Sequence, residues 1–171
     1  MIQIDDSGWG SLLGGVIIGG YNTETKKYFH SLIPIHFFQK GEFERQLYQG
    51  YALWTTLENI SKIGRADRIE ICRGYVLNEV FRFYNESVLK IFRETKYEIA
   101  RCEIGDPLQS YLEDKFSQHL IKCGVPKKSE GAHCLSFDDQ LKWVKENPKR
   151  VKYVKTGWKS WKTKYSKEIK K

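Results

Sequence analysis

Two short apolar runs open the chain, Ile2 to Asp5 and Leu12 to Asn22. Their dense β-branched content predicts two strands joined by a tight loop. Tyr28 to Phe38 carries Phe29, Leu32, Ile33, Ile35 and Phe37 and predicts a third strand after the turn Asn22 to Lys26. Apolar positions then change period. Phe43, Leu47, Tyr51, Trp54, Leu57 and Ile60 recur at three- and four-residue steps, so a helix is expected with these residues on its buried face and Gly64 as its C-cap. Arg68 to Cys72 alternates and reads as a fourth strand, Val76 to Phe92 returns to helical spacing, and Tyr97 to Ile104 reads as a fifth strand.

Asp106-Pro107 predicts a helix start, with Leu108, Tyr111, Leu112, Phe116 and Leu120 on the buried face and Gly124-Val-Pro126 as the stop. Ser136-Phe-Asp-Asp139 fits a capping box for a last helix ending at Glu146, before Pro148. The predicted order is β-β-β-α-β-α-β-α-α, an α/β chain with three antiparallel strands, then two parallel ones, flanked by helices.

Charge divides the chain in two. Of the net +8 over 171 residues, residues 149–171 carry +9 and residues 1–148 carry −1. The expectation is one domain over 1–148 and a basic tail over 149–171. No basic leader or cleavage site precedes the first strand, and the longest apolar run, Leu12 to Ile18, is too short to cross a bilayer. A cytoplasmic protein with reduced cysteines and no membrane partner is expected.

Asp5 stands at the end of a strand that should be central. Burying a carboxylate there costs several kcal/mol unless it is paired or binds metal. Asp6 reads as a turn former and Asp106 as an N-cap. His119 and Cys123 share a helix face, and His133 and Cys134 follow one loop later. Two His and two Cys are a zinc-type donor set, although the spacing matches no standard finger.

The opening strand resembles that of the RuvC and YqgF branch of the ribonuclease H-like superfamily, through Ile2, Ile4, Asp5, Ser7, Gly14, Gly15, Val16 and Ile17. The element order over residues 1–147 is similar as well. In that family an acid on the first strand, one on the fourth strand and one on a late helix converge on divalent metal. The resemblance therefore implies Mg2+ or Mn2+ held by Asp5, by Glu70, and by Asp139 or its neighbour Asp138. Cys72 falls where the fourth-strand acid is expected, with Glu70 two residues earlier on the same face. Glu44, early in the first helix, is a fainter candidate.

The tail interleaves cations with rings. Lys149, Arg150, Lys152, Lys155, Lys159 and Lys162 would neutralise phosphates, and Trp158 and Trp161 would stack on unpaired bases. The implied function is a nucleic-acid-processing protein, a metal-dependent nuclease acting on RNA, RNA/DNA hybrid or branched DNA. A non-catalytic binding module on the same fold is the alternative. A third reading is a nucleotide phosphate-binding protein, since Asp5 through Gly15 also resembles the phosphate loop of actin-like kinases.

Overall fold

The computed structural model describes residues 1–41, 43, 46–88, 98–127 and 135–169. Five strands form one mixed sheet in the order β3-β2-β1-β4-β5. They are β1 (Ile2–Ser7), β2 (Val16–Asn22), β3 (Tyr28–Ile33), β4 (Arg68–Cys72) and β5 (Glu98–Cys102). The first three are antiparallel, while β4 runs parallel to both β1 and β5. Strand β1 is thus central, as the sequence pattern predicts.

Alternation along the strands builds two cores. Ile2, Ile4, Val16, Ile18, Ile69 and Ile71 face α1 (Leu47–Ile60) and α2 (Asn78–Phe83). Ile17 and Tyr21 face α3 (Leu108–Lys122) and α4 (Phe137–Glu146) on the other side. Helix α3 brings Leu108, Leu112, Phe116 and Leu120 to that face, as its apolar spacing predicts. Helix α4 starts where the capping box predicts: Ser136 Oγ accepts from the Asp139 backbone N–H at 3.2 Å.

Several boundaries differ from the sequence pattern. Strand β2 begins at Val16 because Gly14, at φ +69°, turns the chain beforehand. Strand β3 stops at Ile33 because Pro34 has no N–H to continue a ladder; Ile35–Phe38 forms a 3-10 turn instead. The expected second helix is mixed over its described part, a 3-10 turn over Tyr75–Leu77, then α2, then a π-turn over Tyr84–Val88, and its expected continuation over 89–92 lies outside the described residues.

Helix α1 is rotated from its expected face. Tyr48, Gln49, Ala52, Thr55, Thr56 and Asn59 point inward, while Leu47 and Trp54 are exposed. The chain enters through Phe43 and Gln46, both at positive φ, and the helix begins only at Leu47. Its buried polar groups are satisfied within the helix: Thr56 Oγ1 donates to Ala52 O at 2.8 Å and Asn59 Nδ2 to Thr55 O at 2.7 Å.

The basic segment is folded onto the domain. Gly14 N donates to Tyr153 O and Lys155 N to Leu12 O, at 2.9 and 3.0 Å, around a bridge between Leu13 and Val154. Gly157 N donates to Phe38 O at 3.0 Å, and Trp161 is buried in the core on the α3 and α4 side of the sheet. No described helix is long and apolar enough to cross a membrane.

Candidate functional site

Asp5 lies at the carboxyl end of β1, where parallel β1 and β4 finish side by side. The register pairs Gln3 with Glu70 and Ile4 with Ile71, so continuing it brings Asp5 alongside Cys72. Asp5 is only 6 % exposed. Its Oδ1 accepts from the Asp6 backbone N–H at 2.8 Å, and the Cys72 thiol donates to the same carboxylate. Burial holds the Asp5 carboxyl above the usual range; those two hydrogen bonds oppose the shift and the Glu113 charge adds to it.

Asp6 takes part in the site as well. Among the described residues, Asp5, Asp6 and Cys72 bring their candidate ligand atoms within 4.8 Å of one another. Burial and the Asp5 charge push the Asp6 carboxyl up to about 7, against the pull of the Lys155 ammonium. The carboxylate lies over Gly74, where a Cβ would collide with Asp6 Oδ1. Arg101 Nη2 donates to Gly74 O at 3.2 Å and steadies that backbone. Burial, and then the Asp5 carboxylate, push the Cys72 thiol up to about 12.

These three groups open on a cleft of about 380 Å³, whose far wall is Glu103, Ile104, Gln109 and Glu113. Ser7 and Glu113 are shared with an adjoining hollow of about 380 Å³ that runs over Gly8, Gly10 and Ser11 to Phe137 on α4. Gly8, at φ +93°, leaves no room for a side chain, because Phe116 occupies the space beside its Cα. Gln140 fastens this rim: its Oε1 accepts from Ser11 Oγ at 2.9 Å and from Leu13 N at 3.2 Å.

The acids expected beside Asp5 are placed elsewhere. Glu70 sits one pleat back, accepting from Gln3 Nε2 at 3.2 Å and pairing with Arg68 at 2.9 Å. Asp139 receives a hydrogen bond from Ser136 Oγ at 2.7 Å within its capping box, and Asp138 is exposed beside it. Neither Glu70, Asp138 nor Asp139 joins the cluster around Asp5. Sequence reasoning assigned Asp6 to the turn and overlooked Glu103 and Glu113. Glu113 was readable in principle, being next to Leu112 on a helix predicted to pack across the sheet. Glu44, His133 and Cys134 lie outside the described residues. His119 Nε2 is 3.9 Å from Cys123 Sγ.

The segment expected to grip nucleic acid divides in two. Lys149, Lys152, Lys159 and Lys162 are exposed. Arg150 is partly buried, with its guanidinium 4.3 Å from the Trp143 ring centroid and Nη1 donating to Trp143 O at 2.6 Å. Trp158 packs near Phe137 and Phe43. Lys155 and Trp161 correct the expectation, being 1 % and 6 % exposed, too enclosed to reach a phosphate or a base. Lys155 Nζ donates to Gly8 O and, at 3.2 Å, to Trp9 O. It lies near the Phe38 and Trp158 rings, and burial pulls its ammonium down to about 7 against the Asp6 charge. No protein-family model matches this chain, and no curated protein or solved structure compared with it does either.

Proposed function

We propose that this chain is a divalent-metal-dependent, nucleic-acid-processing protein of the ribonuclease H-like superfamily that hydrolyses phosphodiester bonds. The observation that carries the reading is the buried Asp5 carboxylate at the end of central strand β1, clustered with Asp6 and Cys72 at the mouth of a cleft. The strand order, with three antiparallel strands followed by two parallel ones, supports the same reading.

The residues present suit a divalent cation. Two carboxylates and a thiol are all anionic when they coordinate, and three close anions cost free energy that a cation offsets. Such an ion would be Mn2+ or Mg2+ on the family's precedent, and when bound it polarises a phosphoryl oxygen and lowers the pKa of water. Asp5 and Asp6 would hold it, with Cys72 on the adjacent strand. Glu113, which lines the same cleft, would be the group that accepts a proton from an attacking water. The exposed Lys149, Lys152, Lys159 and Lys162 supply cationic surface for a phosphate backbone.

The test is cleavage of RNA, hybrid and branched DNA with and without chelator. Chelator-sensitive cleavage, lost in Asp5→Asn, is the expected result; equal rates for that variant and the wild type overturn the reading. A second reading, a non-catalytic nucleic-acid-binding module, draws on one observation: Cys72 stands beside Asp5 while Glu70 is engaged by Gln3 and Arg68. That reading predicts binding indifferent to chelators and no cleavage.

A further inference from the structure

We infer that Asp5, Asp6 and Cys72 form a mononuclear site for a thiophilic divalent cation of the zinc type, with Cys72 as a direct sulfur ligand. The inference takes its site from the function proposed above but departs from the family's precedent in the class of cation, and it adds the number of ions.

Three observations carry it. The first is the donor set, two carboxylates and a sulfur from adjacent parallel strands, with ligand atoms within 4.8 Å of one another. Tetrahedral zinc with bonds of about 2.0–2.3 Å puts its ligands about 3.5 Å apart, so the side chains need to close in by about 1 Å. Magnesium takes an all-oxygen octahedral shell and gains little from sulfur, whereas zinc and cobalt accept both donor types.

The second is the state of Asp6. Its carboxylate is turned into this cluster, yet among the described residues no side-chain or backbone donor hydrogen-bonds to it. The nearby ammonium of Lys155 is committed to the carbonyls of Gly8 and Trp9. A carboxylate held in a crowded place without a donor is suited to a cation.

The third is coordination number. Three protein ligands leave a tetrahedral ion one position for water, the arrangement of hydrolytic rather than structural zinc sites. Here that position opens on the cleft bounded by Glu103 and Glu113. On binding, the Cys72 thiol gives its proton to solvent and its sulfur donates an electron pair to the cation; nothing is oxidised or reduced.

Cobalt(II) is the probe, titrated into the full chain. The expected result is a near-ultraviolet thiolate-to-cobalt charge-transfer band that saturates at one equivalent, is displaced by zinc, and survives excess magnesium. Cys72→Ser should abolish the band and weaken zinc binding at least about tenfold, and Cys123→Ser should keep it. Cys72→Asp should make magnesium an effective competitor. Circular dichroism checks that each variant is folded.

Cobalt binding without the band, no cobalt binding, or equal zinc affinity in wild type and Cys72→Ser overturns the inference. The two readings fail separately. A band with no cleavage of any nucleic acid supports the zinc-type site and counts against the nuclease. Magnesium-dependent cleavage undiminished in Cys72→Ser overturns the site and leaves the nuclease standing.

Discussion

Lys155 donates a hydrogen bond to the carbonyl of Gly8, a residue 147 positions earlier in the chain. The bond ties the basic segment to the turn that follows the two carboxylates. It explains why a lysine is fully enclosed. Its charge faces Asp6, and its protons find the carbonyls of Gly8 and Trp9 in a box of aromatic rings.

Replacing that lysine tests the clamp. Lys155→Met keeps much of the volume but leaves both carbonyls without their donor and Asp6 without its counter-charge. Urea unfolding should show a destabilisation of about 2 kcal/mol or more. The salt dependence of nucleic-acid binding should stay as in the wild type, because the enclosed Lys155 ammonium cannot reach a phosphate.

The exposed lysines should behave in the opposite way. Changing Lys149, Lys152, Lys159 and Lys162 to Ala together should leave the unfolding free energy nearly unchanged. It should flatten the plot of log affinity against log salt by about 0.9 for each duplex phosphate that is no longer neutralised. Fluorescence anisotropy with labelled duplex at several salt concentrations measures the slope.

Asp5 makes a pH-dependent prediction. Burial raises its carboxyl in the folded state. A group raised on folding favours the fold most below its unfolded pKa, and that contribution is lost as pH rises through the folded value. In chelator, Asp5→Asn should therefore melt higher than wild type at pH 8, and the gain should shrink towards pH 3. The same variant should fail to bind metal. Thermal melts across that pH range decide the matter.

Helix α4 offers a control for the acids the structure sets apart. Ser136→Ala removes the cap and should cost about 1 kcal/mol. Asp139→Asn and Glu70→Gln should leave cobalt and zinc affinity within about twofold of wild type, since both lie outside the ligand cluster. A drop of about tenfold in calorimetry for either would reinstate it as a ligand.

Periodicity made much of this architecture legible. Strand β4 has the expected bounds, and α3 buries the expected leucines, because those patterns answer to one packed face each. Helix α1 misled because its inward side uses Thr55, Thr56 and Asn59, whose side chains bond back to the helix. Apolar spacing cannot register a core surface made from satisfied polar groups. Asp5 was readable from its place at a strand end, while Asp6 was hidden by the ready use of Asp as a turn former. At the end of β1 the strand is finishing and both carboxylates come within reach of Cys72. Lys155 and Trp161 were misplaced for a related reason: composition reports charge and rings, and only tertiary packing reveals which of them are internal.

The order of synthesis gives the Gly8–Lys155 hydrogen bond a further meaning. A growing polypeptide displays its acidic strand end long before the ammonium that steadies it has left the ribosome. That contact can therefore form only late in translation, and a product terminated before residue 155 would keep Asp5 and Asp6 but lack the ammonium that faces Asp6 and binds the carbonyls of Gly8 and Trp9.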